Sequence, residues 1–238
     1  MNNEKYHNSL TYRVWGKYAL FTDPLTRSGG EKCSYHIPTY EAIKGITESI
    51  YWKPSFTWII DKVRIMRPIR TEAKNVKPIN ISGGNTLATY TYLHEVCYEV
   101  TAHFEWNLLR EDLKADRIEK KHDEIAHRML KKGGRRDIFL GTRECQGYVE
   151  PCTFGEEPTE HVQAGELSYG FMFHGFDYPD VTGVHELHAR FWHAKVDANS
   201  IIHFPRPDAQ GLTKNFVRPM TPRPPKSIGL NEPQKQLS

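Results

Sequence analysis

Long apolar runs are absent from these 238 residues: no stretch approaches ~18 apolar residues, and with a mean hydropathy of −0.63 the sequence holds no membrane-spanning helix. Cysteine is scarce. Cys33, Cys97, Cys145 and Cys152 include no C-x-x-C pair, so neither a zinc knuckle nor a disulfide framework is indicated, and reduced, packed thiols are expected. There is no G-x-S-x-G elbow, which leaves acyl hydrolysis without support. Gly29–Gly30–Glu31–Lys32 lacks P-loop spacing. His185–Glu186–Leu187–His188 falls short of the H-E-x-x-H helix of a zincin and reads as a strand, where residues three apart face opposite ways; no metal site and no cofactor are expected. The opening MNNEKYHNSLTYRVWG has no apolar core for a signal peptide, so a cytoplasmic protein without membrane contact is expected.

One local absence is more informative. The 45 residues from Glu144 to His188 contain no Lys or Arg and nine carboxylates. The net charge of +3 therefore hides an uneven distribution: Lys53–Lys77 carries seven basic residues against two acidic, and Arg117–Arg136 eight against three. Cations interleaved with Tyr and Trp suit a phosphate backbone with stacked bases, although a charge run by itself is more readily an ordinary solvated face.

Hydrophobic periodicity outlines the fold. Leu10–Phe21 alternates as a strand, followed by a turn at Ser28–Gly30. Thr39 can N-cap a helix bearing Ile43, Ile46 and Ile50 on one face, which Pro54 ends by Lys53, so that Tyr51 and Trp52 occupy its last turn. Phe56–Met66 reads as a strand, Arg67–Asn85 as a loop or irregular hairpin with a turn at Gly83–Asn85, and Thr86–Leu93 with Val96–Trp106 as an antiparallel pair. A second helix is expected over Asp112–Lys132, closed at Gly133–Gly134, with an apolar stripe of Leu113, Ile118, Ile125 and Met129. At about 100° per residue His122 falls within that stripe and points toward the sheet. Strands at Asp137–Leu140 and Glu144–Val149 complete the α+β order of a ferredoxin-like, RRM-like domain over 1–150. Tyr169–Phe176, His188–Val196 and Ser200–Phe204 suggest a small antiparallel β domain over 151–207, and the proline-rich 208–238 an extended or disordered tail.

The dipeptide Lys121–His122 is the most suggestive chemistry. RNA brings its own nucleophile, the 2′-hydroxyl, so cleavage requires only a base, an acid for the leaving 5′-oxygen and a cation for the crowded phosphorane. Histidine and lysine suit those tasks. From the local pattern alone, however, His122 reads more readily as a satisfied core histidine.

Several stretches then carry a resemblance: YALFTDPLTRSGGEKCSYHIPTYEAIKGITESIYWKP (18–54), GGNTLATYTYL (83–93), GGRRDIFLGTRECQGYVEP (133–151) and HFPRP (203–207). Together they closely resemble the subtype I-C (Dvulg) CRISPR-associated pre-crRNA endoribonucleases of the RAMP superfamily, from about Trp15 to Pro207. The resemblance implies a ferredoxin-like RAMP domain and a small β domain. It also implies metal-independent cutting of repeat RNA at the 3′ base of its hairpin, after which the enzyme stays on the crRNA 5′ handle beside the other subunits of the type I-C Cascade complex. It further implies a Tyr–Lys–His site at Tyr51, the Tyr of E-S-I-Y-W-K-P, and at Lys121 and His122, and so reverses the local reading of His122. Lys53, Arg128, Lys131, Lys132, Arg135 and Arg136 are the expected RNA contacts. The alternative is a non-catalytic subunit that only caps the handle.

Overall fold

Alternate side chains of Ser9–Ala19 are buried: Leu10, Tyr12 and Val14 lie on one face, Thr11, Arg13 and Trp15 on the other. This segment is strand β1 of the computed structural model. The structure describes residues 8–23, 26, 30–79, 83–84 and 86–222. Ser28, Gly29 and Asn85 of the expected turns, and 223–238 of the tail, lie outside them.

Helix α1 spans Tyr40–Ile50, capped by the Thr39 side chain, which accepts from the Ala42 amide at 3.2 Å. It buries Ile43, Ile46 and Ile50 as expected but stops before Tyr51, which is extended (φ −159°, ψ 133°) instead of occupying a last turn. Strands β2 (Phe56–Ile65), β3 (Thr71–Val76) and β4 (Ala88–Trp106) follow. The two strands expected at 86–106 are this single 19-residue β4. Glu95 takes a φ of 52°, and the chain runs on without a turn, pairing with β3 along 88–93 and with β2 along 98–106.

Helix α2 covers Glu119–Lys131, shorter than expected. Where its first turns are expected there is a 3-10 turn over Glu111–Asp116, held by the Arg117 guanidinium on the carbonyls of Asn107 (3.1 Å) and Arg110 (3.0 Å). Ile118, expected in the apolar stripe, caps α2 and is exposed; the buried residues are His122, Ala126 and Leu130, with Ile125 and Met129 packed beside them. Gly133 and Gly134, at φ 82° and 107°, donate to the carbonyls of Leu130 and Met129 and close the helix in a Schellman motif.

Strands β5 (Ile138–Phe139) and β6 (Gln146–Pro151) lead to a sheet of order β5-β6-β1-β4-β2-β9, where β9 is Ile201–His203. The central order β6-β1-β4-β2, antiparallel throughout, is that of a ferredoxin-like fold. Both helices cover one face; Tyr12 of β1 meets Thr47 of α1 at 2.8 Å. A second, three-stranded antiparallel sheet of order β10-β8-β7 comprises β7 (Leu167–Asp177), β8 (Glu186–Val196) and β10 (Thr213–Pro219). Two segments depart from expectation here. Ser200–Phe204 supplies β9, which pairs with Lys62–Arg64 of the main sheet, and the tail begins with the paired strand β10.

The acidic block departs too. Its segment 152–161 does not join the second sheet but crosses the main-sheet face opposite the helices. Gly155 donates to Glu99 (2.9 Å), Thr159 to the Ile65 carbonyl (2.7 Å) and the Glu160 amide to the Met66 carbonyl (2.9 Å). Glu99 lies in register between Arg13 and Arg64; Arg13 also pairs with Glu150 and Glu157, and Arg64 donates to the Glu157 carbonyl. This strap covers part of the surface that an RRM-like sheet would offer to bases.

Candidate active site

Tyr51 and His122, 71 positions apart, meet under the end of α1. The helix end is fixed from two sides. The Tyr51 amide bonds Thr47 O at 3.1 Å, and the amides of Arg135 and Arg136 bond the carbonyls of Ser49 and Ile50 at 3.0–3.1 Å, so the Gly133–Arg136 connection supplies partners that the helix itself cannot. Trp58 Nε1 donates to the Tyr51 carbonyl at 2.7 Å. The phenol is thereby aimed at the first turn of α2, where its oxygen lies 2.8 Å from His122 Nδ1.

His122 is fully buried, with its ring edge-on to Phe56 and Trp106, at centroid distances of 5.3 and 5.7 Å. Its Nε2 is 2.7 Å from the Asp116 backbone carbonyl and 3.4 Å from the Asp116 carboxylate. A carbonyl oxygen only accepts, so Nε2 carries the proton; in the neutral ring Nδ1 then accepts from the Tyr51 hydroxyl. Burial, reinforced by the nearby Asp116 charge, pushes the Tyr51 phenol above its ordinary pKa, while Arg135 and Arg128 act in the opposite sense. At neutral pH Tyr51 is therefore a proton donor that needs His122 to ionise.

Lys121 joins through Asp116. Its ammonium lies 2.5 Å from Asp116 Oδ1, and Ser55 Oγ donates to Oδ2 at 3.1 Å. Burial works against ionisation of Asp116, but these two hydrogen bonds outweigh it and hold the carboxyl below its usual range. Lys121 is half exposed where Tyr51 and His122 are enclosed, so the cation is the part of the cluster that solvent-borne phosphate reaches first.

The remaining candidates fall in three places. Arg128 and Arg135 are exposed and near enough to act electrostatically on Tyr51. Lys131, Lys132 and Arg136 are exposed at the far end of α2 and beyond it; Lys131 is about 14 Å from His122 along the axis. Lys53 is half buried two residues beyond Tyr51. Sequence reasoning missed Asp116 and Ser55, because the 3-10 turn that presents Asp116 was read as continuous helix. Within the basic stretches Arg64 and Arg117 serve internal contacts instead of an RNA surface. Among the described residues no cluster of three or more His, Cys, Asp or Glu is arranged to hold a metal ion.

Comparison with known proteins supplies a context. A family model described as CRISPR-associated protein (Cas_Cas5) matches residues 9–204. The CRISPR pre-crRNA endoribonuclease Cas5d of Mannheimia succiniciproducens is 26% identical over 222 residues, covering 80% of this chain and 94% of its own. Its namesake from Thermus thermophilus is 29% identical over 151 residues, 60% of this chain and 63% of its own. Among solved structures, one described as a CRISPR-associated protein superposes with a TM-score of 0.71 at 33% identity, covering 86% of this chain and 96% of its own. A functionally uncharacterized protein, SMU1763c from Streptococcus mutans, has a TM-score of 0.70 at 37% identity and the same coverage.

Proposed function

The chain belongs to the Cas5 family of CRISPR-associated proteins, and from that premise we propose that it is a pre-crRNA endoribonuclease whose site is Tyr51, Lys121 and His122. The 2.8 Å contact between the Tyr51 hydroxyl and the unprotonated His122 Nδ1 carries this reading. Tyr51 passes its proton to Nδ1 as its oxygen takes the proton of the RNA 2′-hydroxyl. The 2′-oxygen attacks the adjacent phosphorus, Lys121 stabilises the phosphorane, and the bond to the 5′-oxygen breaks. The proton returns from the imidazolium through Tyr51 to the leaving 5′-oxygen. The products are a 2′,3′-cyclic phosphate and a 5′-hydroxyl, and no step requires a metal ion.

The names of the curated relatives support the same substrate, CRISPR repeat RNA. After cutting at the 3′ base of the hairpin the protein keeps the crRNA 5′ handle and serves as a subunit of the type I-C Cascade complex. One observation favours the second reading, a handle-binding subunit without catalysis: His122 is enclosed with both ring nitrogens engaged. Incubation of the protein with its repeat RNA in EDTA separates the two. A discrete product ending in a 2′,3′-cyclic phosphate is expected; intact, bound RNA would establish the cap.

A further inference from the structure

One carboxylate of the site has no part in that relay. Asp116 touches every polar member except Tyr51. Its carbonyl accepts from His122 Nε2 at 2.7 Å, its Oδ1 lies 2.5 Å from the Lys121 ammonium, and its Oδ2 is 3.1 Å from Ser55 Oγ and 3.4 Å from His122 Nε2. We propose that Asp116 is a positioning residue for RNA cleavage: it fixes His122 as the Nε2–H tautomer and holds Lys121 until the RNA phosphate takes that ammonium, whereupon its carboxylate supports the imidazolium. The proposal rests on the ribonuclease reading of this site.

The surroundings fit such an exchange. Asp116 ends a 3-10 turn that cannot drift, because Arg117 ties it to the carbonyls of Asn107 and Arg110, and because the partner hydroxyl belongs to the buried Ser55, whose own carbonyl accepts from the Asn107 amide at 2.9 Å. Lys121, by contrast, is a half-exposed, flexible side chain, free to trade a carboxylate for a phosphate at little cost, since a solvent-exposed ion pair adds little stability. Once the lysine leaves, Asp116 Oδ1 has lost its counter-charge, and the nearest site of positive charge is His122 as it takes the proton. Phe56 from β2 and Phe104 and Trp106 from β4 present apolar faces or edges to the ring; the charged groups around it are Asp116, Lys121 beside it on α2, and Arg128 and Arg135, which act on the Tyr51 phenol at its Nδ1 side. RNA binding is thus coupled to the basicity of a group that RNA does not touch.

Asp116→Asn tests this in the full chain: it keeps the shape and the backbone carbonyl but removes the charge. Under single-turnover conditions with repeat RNA, binding is expected to be unchanged. Cleavage slows by roughly 10–100-fold, the loss seen when the partner that orients a metal-bound histidine is removed, taken here for a histidine oriented in the same way. The acid limb of the pH–rate profile moves to lower pH, since the imidazolium has lost its counter-ion, and Asp116→Glu recovers part of the rate. Ser55→Ala, which loosens the turn but leaves the charge, controls for structure: it lowers the melting temperature but leaves the profile in place. The proposal is overturned if Asp116→Asn cleaves at the wild-type rate, if its slower cleavage comes with an unmoved profile, or if Ser55→Ala moves the profile equally. Failure of the underlying reading looks different, for then the wild type leaves the bound RNA intact, or His122→Ala cleaves like the wild type.

Discussion

At the scale of single residues, enclosure is what distinguishes this site. Tyr51 and His122 form one hydrogen bond at the bottom of an aromatic pocket, so neither partner can be removed without leaving the other unpaired. Tyr51→Phe is expected to abolish cleavage and to destabilise the fold by about 1–3 kcal/mol, the cost of stranding a buried ring nitrogen. RNA affinity should be unchanged. A gel-based cleavage assay beside a denaturant melt checks both; retained cleavage would remove Tyr51 from the chemistry. The inward direction of His122 was legible in the sequence, because helical periodicity places it on an apolar stripe. Its partnership with Tyr51 was not, since nothing local links residues 71 apart, and Tyr51 entered through resemblance alone. Asp116 was illegible for another reason: the bonds from Arg117 that turn it toward the site span 7 and 10 residues and leave no periodic mark.

Strands β1 and β2 could be read with nearly their observed bounds and α1 by its cap and buried face, though carried past its true end, whereas β4 could not. A positive φ at Glu95 lets one strand serve two partners, and the sequence around it mimics a hairpin turn. The docking of the second sheet on the first unit was equally hidden. It runs through His174 of β7, which is fully buried, stacked on Tyr40 of α1 at 4.2 Å, bonded by Nε2 to the Pro205 carbonyl at 2.9 Å, and approached by Arg190 Nε at 3.3 Å. Burial, and secondarily the Arg190 charge, pushes the imidazole down to about 3. In the unfolded chain it titrates near the ordinary histidine value of about 6.5. The unfolded state therefore binds the proton first, and stability present above that pH is lost as pH falls from about 6.5 toward 3, with a limiting slope of about 1.4 kcal/mol per pH unit. His174→Gln, measured by denaturant unfolding across this range, should remove that part of the slope; a slope identical to the wild type would show that His174 does not carry it.

Across the whole molecule, charge is divided by function. On the face opposite the helices Arg13 and Arg64 are paired with Glu99 of β4, Glu150 of β6 and Glu157 of the strap, while Arg128, Lys131, Lys132, Arg135 and Arg136 remain exposed along and beyond α2, Arg128 and Arg135 being the ones that act on the candidate site. A net charge of +3 thus resolves into an internally paired sheet face and a cationic helix face, and the latter suits a phosphate backbone. The segregation into basic and acidic stretches could be seen in the sequence; that part of the acidic stretch folds back over the main sheet depended on pairings between distant segments and could not. The claim that joins these scales is that the enclosed Tyr51–His122 pair cuts RNA. Single-turnover cleavage of the repeat RNA in EDTA by wild-type protein and by His122→Ala, with binding measured in parallel, tests it most directly. Product from the wild type alone, with both proteins binding RNA, is the expected result; equal cleavage by both, or by neither, would contradict it.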